Sequence, residues 1–255
     1  MFFENYNKMH SYYTKKDGII AIAVFLVSVL LFYVAGIFLR TNGMRMFVPA
    51  SVIVIIVVLA LVLLRKEELR TLGIHQKGLW QSALLGLALG AMFFFATRFI
   101  LDASVFERAY GGAEIMRIGM GNRFMDAEEA SLMSWLPLAL LFIIITVVSQ
   151  EVLFRSYIQT RLVGLLKSDL AATAITAFLF ALFFIPLHTI LTGQNFTWVF
   201  MSSIPLPMFW LFALHCWLNF LYRTYNNIAA PIIFHIFFSF HSNIALTHSY
   251  FMGLA

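Results

Sequence analysis

Long apolar runs recur along the whole chain, and they constrain its fold more than any other feature. Phe47–Leu64, for example, contains no charged residue. A helix that crosses ~30 Å of hydrocarbon needs about 20 such residues, because each residue adds 1.5 Å. Hydrophobic residues make up 62% of the 255 residues and charged residues 11%, whereas about a quarter of a soluble domain is charged. The sequence therefore predicts an integral membrane protein whose bulk is the bundle itself.

The runs predict an all-α, polytopic transmembrane helix bundle with about seven spans. We divide it into residues 1–133, with N-terminal spans and an acidic external loop, and residues 134–255, a helical core with the candidate site. Gly86 and Gly90 have the GxxxG spacing that favours close helix packing. The predicted spans are Gly18–Leu39, Phe47–Leu64, Leu79–Leu101, Ser134–Phe154, Ala171–Leu191, Trp198–Tyr222 and Ile228–Thr247.

Loop charge predicts the orientation. Most basic residues fall in the N-terminal segment, in residues 65–77 and 155–167 and at Arg223, on one side if the spans alternate. The loop of residues 102–133 has three Arg against six acids and falls on the other side. This pattern predicts a cytoplasmic N-terminus, with Arg40 and Arg45 as exceptions. It also explains the net charge of +5, so nucleic acid is not a predicted partner.

Two further features bear on disulfides, metal sites and signal cleavage. The single cysteine, Cys216, excludes an internal disulfide framework and any CxxC-type metal site. The N-terminal segment lacks an A-x-A-like cleavage site, so the first apolar run is predicted to be a spanning helix rather than a removed signal.

Four ionisable residues in or beside the predicted spans form a candidate site: Glu151, Arg155, His188 and His235. Such side chains are costly in a membrane and tend to mark functional sites. Glu151 and Arg155 are four residues apart, so they share a helix face and can pair. At 1.5 Å per residue, Glu151 lies ~26 Å and His188 ~29 Å from the turn that joins their helices. We therefore expect them at similar depth, with His235 about 12 Å along its own helix.

One carboxylate and two imidazoles allow two kinds of chemistry. Glu151 could hold and deprotonate a water while His188 and His235 stabilise an oxyanion. Alternatively, the same three residues could bind a catalytic zinc ion with one open position. A purely structural interpretation has Glu151 and Arg155 neutralising each other and the histidines hydrogen-bonded in the core. The spacing does not separate these alternatives.

Three short motifs resemble those of the CPBP intramembrane proteases, also called the Abi or Rce1-like family, which includes CAAX prenyl proteases and proteins of bacteriocin maturation or immunity. The family's EExxxR motif is matched by QEVLFR, its FxxxH motif by FIPLH and its HxxxN motif by HIFFS. The resemblance covers about residues 134–242, in the family's order. The positions it assigns to the site are Gln150, Glu151, Arg155, Phe184, His188, His235 and Ser239.

Two positions depart from the family pattern. Gln150 stands where the family has its first Glu, and an amide can orient a water but cannot take its proton. Either Glu151 serves as the base, or the chain is catalytically impaired, or Gln150 is an inactivating Glu-to-Gln change. Ser239 stands in place of Asn and offers a shorter donor.

Other histidines are set aside. His215 and Asn219 also fit HxxxN, but His215 precedes the RTYNN turn, and we predict it to be a packed or supporting residue. We assign no role to His241 and His248.

The resemblance implies an intramembrane endopeptidase that cleaves a peptide or C-terminal tail. Glu151 and Gln150 would position the water, Arg155 would fix the carboxylate, and His188, His235 and Ser239 would stabilise the intermediate. No cofactor is expected, and zinc is the alternative. The second hypothesis is a catalytically impaired relative that acts as a membrane scaffold, regulator or bacteriocin-immunity protein. A transporter would need paired broken helices, which the sequence does not offer. The predicted location is the bacterial cytoplasmic membrane, with the bilayer and a membrane-protein partner as neighbours.

Overall fold

The computed structural model describes residues 13–42, 47–99, 132–192 and 205–251. Within these ranges the chain is helical and has no strand. The predicted acidic loop, Arg45 and the N-terminal lysine Lys8 lie outside the described residues, as does the Arg40 side chain. The helices are α1 (Lys15–Asn42), α2 (Phe47–Leu64), α3 (Leu79–Phe99), α4 (Leu132–Gln150), α5 (Thr160–Leu166), α6 (Asp169–Thr192), α7 (Pro205–Tyr225) and α8 (Ala229–Phe251).

Each of the seven predicted spans overlaps a helical stretch of the described chain. Residues 100–101 of the third span and 198–204 of the sixth lie outside the described residues. Three stretches are long and apolar enough to cross a membrane: Lys15–Ala35, Leu79–Ala96 and Leu140–Leu166. Shorter apolar helices occur at Val48–Leu64, Asp169–Phe183 and Ala229–Phe240. The helical architecture is as predicted, and the total of seven spans stays a prediction.

Helix α1 shows how the bundle divides between lipid and protein. Phe25 and Phe32 are only 7% and 3% exposed, whereas Leu26 and Leu30 on the other face are 59% and 61% exposed. A soluble protein would leave few such leucines together in water, but they suit hydrocarbon. The outer faces of the helices are therefore apolar, and the polar residues lie inside.

One predicted boundary is wrong. Residues 155–167 were predicted as a basic loop, but the chain continues from α4 through a π-helical segment, Glu151–Gln159, directly into α5. Arg155 and Arg161 are 1% and 0% exposed, so they are not loop charges. Both arginines have buried acidic partners instead. Charge composition alone could not distinguish a buried, paired arginine from a loop arginine.

The π-helical segment is the centre of the fold, and all nine of its residues are buried. In a π-helix the backbone hydrogen bonds join residues i and i+5, so the regular bonding of the carbonyls is interrupted where the chain returns to an α-helix. Here side chains satisfy those carbonyls. Thr160 Oγ1 donates to the carbonyl of Ser156 at 2.6 Å, and Arg161 Nη1 donates to that of Tyr157 at 3.2 Å.

Glycines bring helices close where the core requires it. A Cβ on Gly86 would lie 2.6 Å from the Ala230 carbonyl, and one on Gly90 would lie 2.6 Å from the Phe237 ring. The GxxxG pair therefore packs α3 directly onto α8, the helix that carries His235. This is the close packing that the sequence predicted.

The connection between α2 and α3 joins the two predicted parts of the chain. Glu67 pairs with Arg161 just beyond the π-helical segment. Further along, the Gly73 carbonyl accepts from the Ile228 amide at 3.1 Å, and Asn227 Nδ2 donates to the His75 carbonyl at 2.9 Å. The same connection thus holds both the helix of Glu151 and the turn that leads to His235.

Candidate active site

Glu151 is the first residue of the π-helical segment, and both oxygens of its carboxylate have partners. Arg155 Nε donates to Oε2 at 2.7 Å, and His235 Nδ1 lies 2.8 Å from Oε1. All three side chains are almost fully buried. Because an ionised carboxylate only accepts hydrogen bonds, the hydrogen of His235 lies on Nδ1. The structure thus brings together three of the four ionisable residues singled out from the sequence.

Arg155 also fastens this cluster to a third helix. Its Nη1 and Nη2 both lie 3.4 Å from the backbone carbonyl of His215 on α7. The nitrogens of a guanidinium can bind different partners, and here Nε binds Glu151 while Nη1 and Nη2 face α7. Arg155 therefore links the π-helical segment to α7 as well as neutralising Glu151.

Aromatic rings pack around the cluster. The Phe180 ring on α6 lies 5.3 Å from the His215 ring and 6.1 Å from the His235 ring, centroid to centroid. The Phe238 ring on α8 lies 6.4 Å from the His235 ring, centroid to centroid. A low dielectric strengthens hydrogen bonds from such residues to a developing charge.

Gln150 and Ser239 flank the cluster. Gln150 is the last residue of α4 and is 5% exposed, directly before Glu151. Ser239 is half-buried and stands one helical turn after His235. Their positions beside Glu151 and His235 follow from the chain, and their roles stay predictions.

His188 and Phe184 lie on α6, but their side chains are outside the described part of the chain. The predicted approach of His188 to Glu151 is therefore still a prediction. The side chains of Arg98, His241 and His248 are outside it too.

The zinc alternative is also open. Among the described side chains, to which that of His188 does not belong, no three His, Cys, Asp or Glu are arranged to hold a metal ion. In the observed arrangement Glu151 would have to release Arg155 or His235 to become a ligand. His235 could offer a metal only Nε2, because Nδ1 faces Glu151.

A second buried polar cluster was missed by sequence reasoning. The Asn219 amide lies 2.6 Å from Gln159 Nε2 and 3.0 Å from Thr173 Oγ1, and Arg223 Nη2 lies 3.0 Å from the same Oγ1. These contacts tie α7 to α6 and to the end of the π-helical segment. A buried Asn in an apolar helix was the available signal, because a polar residue there usually binds a neighbouring helix.

His215 was predicted to be a packed or supporting residue, and the structure places it beside the cluster. It is 1% exposed, its carbonyl faces Arg155, and its ring packs on Phe180. Neither of its ring nitrogens has a hydrogen-bond partner among the described residues.

Residues 132–241 match the family described as type II CAAX prenyl endopeptidase Rce1-like. No curated protein and no solved structure matches the chain. The matched segment begins at α4 and ends within α8, so it contains the whole cluster. The family resemblance predicted from the three motifs is confirmed.

Proposed function

We propose that this chain, a member of the Rce1-like family over residues 132–241, is an intramembrane peptidase that cleaves a peptide or protein tail. The observation that carries the proposal is the Glu151–His235 contact of 2.8 Å, buried in the matched segment and neutralised by Arg155. A carboxylate that orients an imidazole is a recurring arrangement in hydrolases.

The charges of the cluster favour His235 as the group that takes the proton. Ionised Glu151 and Arg155 cancel, so the site is neutral overall when the imidazole is neutral, and a neutral site is the least costly in a membrane. With Nδ1 donating to Glu151, Nε2 presents its lone pair. Glu151, which the sequence suggested as the base itself, would then orient His235 and stabilise its charged form.

The reaction follows from these assignments. Nε2 of His235 accepts a proton from water, and the water oxygen attacks the carbonyl carbon of the scissile peptide. The electron pair of the C=O bond moves to the oxygen, forming a tetrahedral intermediate. When the C–N bond breaks, His235 returns the proton to the leaving nitrogen. Gln150 need not ionise in this scheme, since orienting the water is within the reach of an amide.

The test is cleavage by the purified protein in lipid nanodiscs. Peptides with a prenylated C-terminal cysteine motif, matched unprenylated peptides and a general peptide library serve as substrates. The proposal predicts cleavage of at least one set, with Glu151→Gln about 10⁴-fold slower, the size seen when a carboxylate that orients a catalytic imidazole is neutralised. Cys216→Ala on α7 is the matched control and should cleave like the unchanged protein. Absence of cleavage of every set would count against the proposal.

The second candidate function is a non-catalytic membrane scaffold, regulator or immunity protein. Gln150 favours it, because the family pattern has a carboxylate there and because Arg155 and His235 already occupy Glu151. Gln150→Glu distinguishes the two. If only this variant cleaves, the natural chain is an impaired relative; if both cleave at similar rates, the amide suffices.

The zinc alternative has its own experiment. Dialysis against a strong chelator should leave the cleavage rate unchanged if His235 is the base. Loss of activity that zinc restores, together with about one zinc per chain in metal analysis, would instead favour a metal site that includes His188.

A further inference from the structure

His215 is a buried polar residue that the proposed reaction does not yet use. Its side chain lies among the aromatic rings around His235, and neither Nδ1 nor Nε2 has a hydrogen-bond partner among the described residues. Buried polar atoms in folded proteins are nearly always hydrogen-bonded, and one that is not calls for an explanation, of which a catalytic role is one. This imidazole therefore needs an explanation beyond packing.

The position of His215 relates it to the reacting groups. Its backbone carbonyl faces both terminal nitrogens of Arg155, which holds Glu151. Its ring and that of His235 pack on the same Phe180 ring, at 5.3 and 6.1 Å. Because His235 binds Glu151 and the His215 carbonyl faces Arg155, the two imidazoles belong to one cluster.

The surroundings also restrict what His215 can do. Complete burial next to the Arg155 guanidinium disfavours a second positive charge on this ring. A neutral imidazole retains one N–H donor, and a fixed neutral donor in a buried site is well suited to stabilise an oxygen that becomes negative. The proposed reaction needs such a donor. Of the other residues predicted for this role, His188 has its side chain outside the described part of the chain, and Ser239 offers only a short hydroxyl.

We propose that His215 is a further catalytic residue, whose N–H donates to the carbonyl oxygen of the scissile peptide as that oxygen becomes negative. This inference rests on the proposed peptidase function. No proton is transferred at His215: the N–H stays intact while the electron pair of the C=O bond moves to the oxygen and returns.

The test compares variants that remove the donor with one that replaces it. His215→Phe keeps an aromatic ring against Phe180 but has no N–H, and His215→Gln keeps a donor of similar reach. The proposal predicts that kcat falls about 10²–10³-fold in His215→Phe, the usual cost of losing one oxyanion donor. KM should change little, and His215→Gln should retain more than a tenth of the original kcat. Cys216→Ala, the next residue on α7, is the matched control.

Thermal unfolding separates catalysis from packing. If the ring nitrogens are unpaired in the folded protein, His215→Phe should unfold at the same or a higher temperature while losing activity. Unchanged kcat in His215→Phe would overturn the inference and leave the peptidase proposal intact. If His215→Phe does not fold, His215→Met provides the variant without a donor, and equal kcat for the Met and Gln variants would overturn the inference. Absence of cleavage by the unchanged protein would instead contradict the proposed function, and this inference with it.

Discussion

Glu151 brings a negative charge into a fully buried helix, and its two partners are what make this tolerable. Arg155 neutralises the charge at 2.7 Å, and His235 binds the remaining oxygen at 2.8 Å. Removing one member of a buried pair leaves a charge without compensation, which costs about 3–5 kcal/mol. The Glu151–Arg155 pair therefore stabilises the fold in addition to its proposed role in the reaction.

Arg155→Met tests this directly. We expect the free energy of unfolding in detergent to fall by about 3–5 kcal/mol, because Glu151 would lose its counter-charge. The double variant that carries Glu151→Gln as well as Arg155→Met should recover part of the lost free energy of unfolding. Arg70→Met is the control, since Arg70 and Glu68 form an exposed pair and should change the stability by at most about 1 kcal/mol. Full stability of Arg155→Met alone would mean that Glu151 does not depend on this charge.

At the scale of residues, the sequence predicted which residues belong to the site better than it predicted how their side chains contact each other. The four-residue spacing of Glu151 and Arg155 predicted their pairing, because helix geometry is local. The arrangement of His235 on Glu151 needed the tertiary structure to show that Nδ1 is the contacting nitrogen. The HxxxN spacing of His215 and Asn219 was the available sequence signal for His215, but its place before the RTYNN turn favoured a packed or supporting residue.

Among the elements, the π-helical segment Glu151–Gln159 and helix α8 carry the site. The contact of α3 with α8 at Gly86 and Gly90 sets the position of α8. The sequence predicted this close packing from the GxxxG spacing, which reports small residues on one face. It did not predict the π-helical segment, because its backbone pattern depends on side chains such as Thr160 and Arg161 that bond back to the chain.

Gly86→Val is the variant that tests this contact. Its Cβ would fall 2.6 Å from the Ala230 carbonyl, so α3 and α8 must separate and His235 must move. We expect a loss of about 1–3 kcal/mol of stability from overpacking and a fall in cleavage rate. Ala88→Val, on the exposed face of the same helix, should leave both unchanged. Equal behaviour of the two variants would show that α3 does not position His235.

At the scale of the whole molecule, the family match begins at residue 132, but the fold does not divide there. Arg161 of the matched segment is 0% exposed, pairs with Glu67 and stacks on the rings of Tyr13 and Tyr157 at 4.8 and 3.9 Å. Two of these partners precede residue 132. The N-terminal helices are therefore part of the structure that holds the site.

A chain that begins at residue 132 tests this view. Without Tyr13 and Glu67, Arg161 would be a buried charge with no acidic partner, so we expect the fragment to aggregate in detergent and to lack activity. Size-exclusion chromatography and the cleavage assay provide the measurements. A monodisperse, active fragment would show that the N-terminal helices are dispensable.

The orientation of the bundle is predicted from loop charge, and the structure changes which arginines count as loop residues. Arg155 and Arg161 no longer count, because they are buried, but Lys66, Arg70 and Lys77 still lie between α2 and α3. We therefore keep the prediction that this connection is cytoplasmic. Cysteines placed at Lys66 and Lys77 in a Cys216→Ala background should be labelled by an impermeant thiol reagent only after the inner face is opened. Labelling of intact cells at these positions would reverse the orientation.

His235, as the group that takes the proton from water, is the central residue of the proposed mechanism. The measurement is the single-turnover cleavage rate, followed by mass spectrometry, of the unchanged protein and of His235→Ala. The substrate is the peptide that the unchanged protein cleaves fastest. We expect a rate about 10²–10⁴-fold lower in the variant, the usual contribution of a general base. Equal rates in two equally folded proteins would contradict this mechanism.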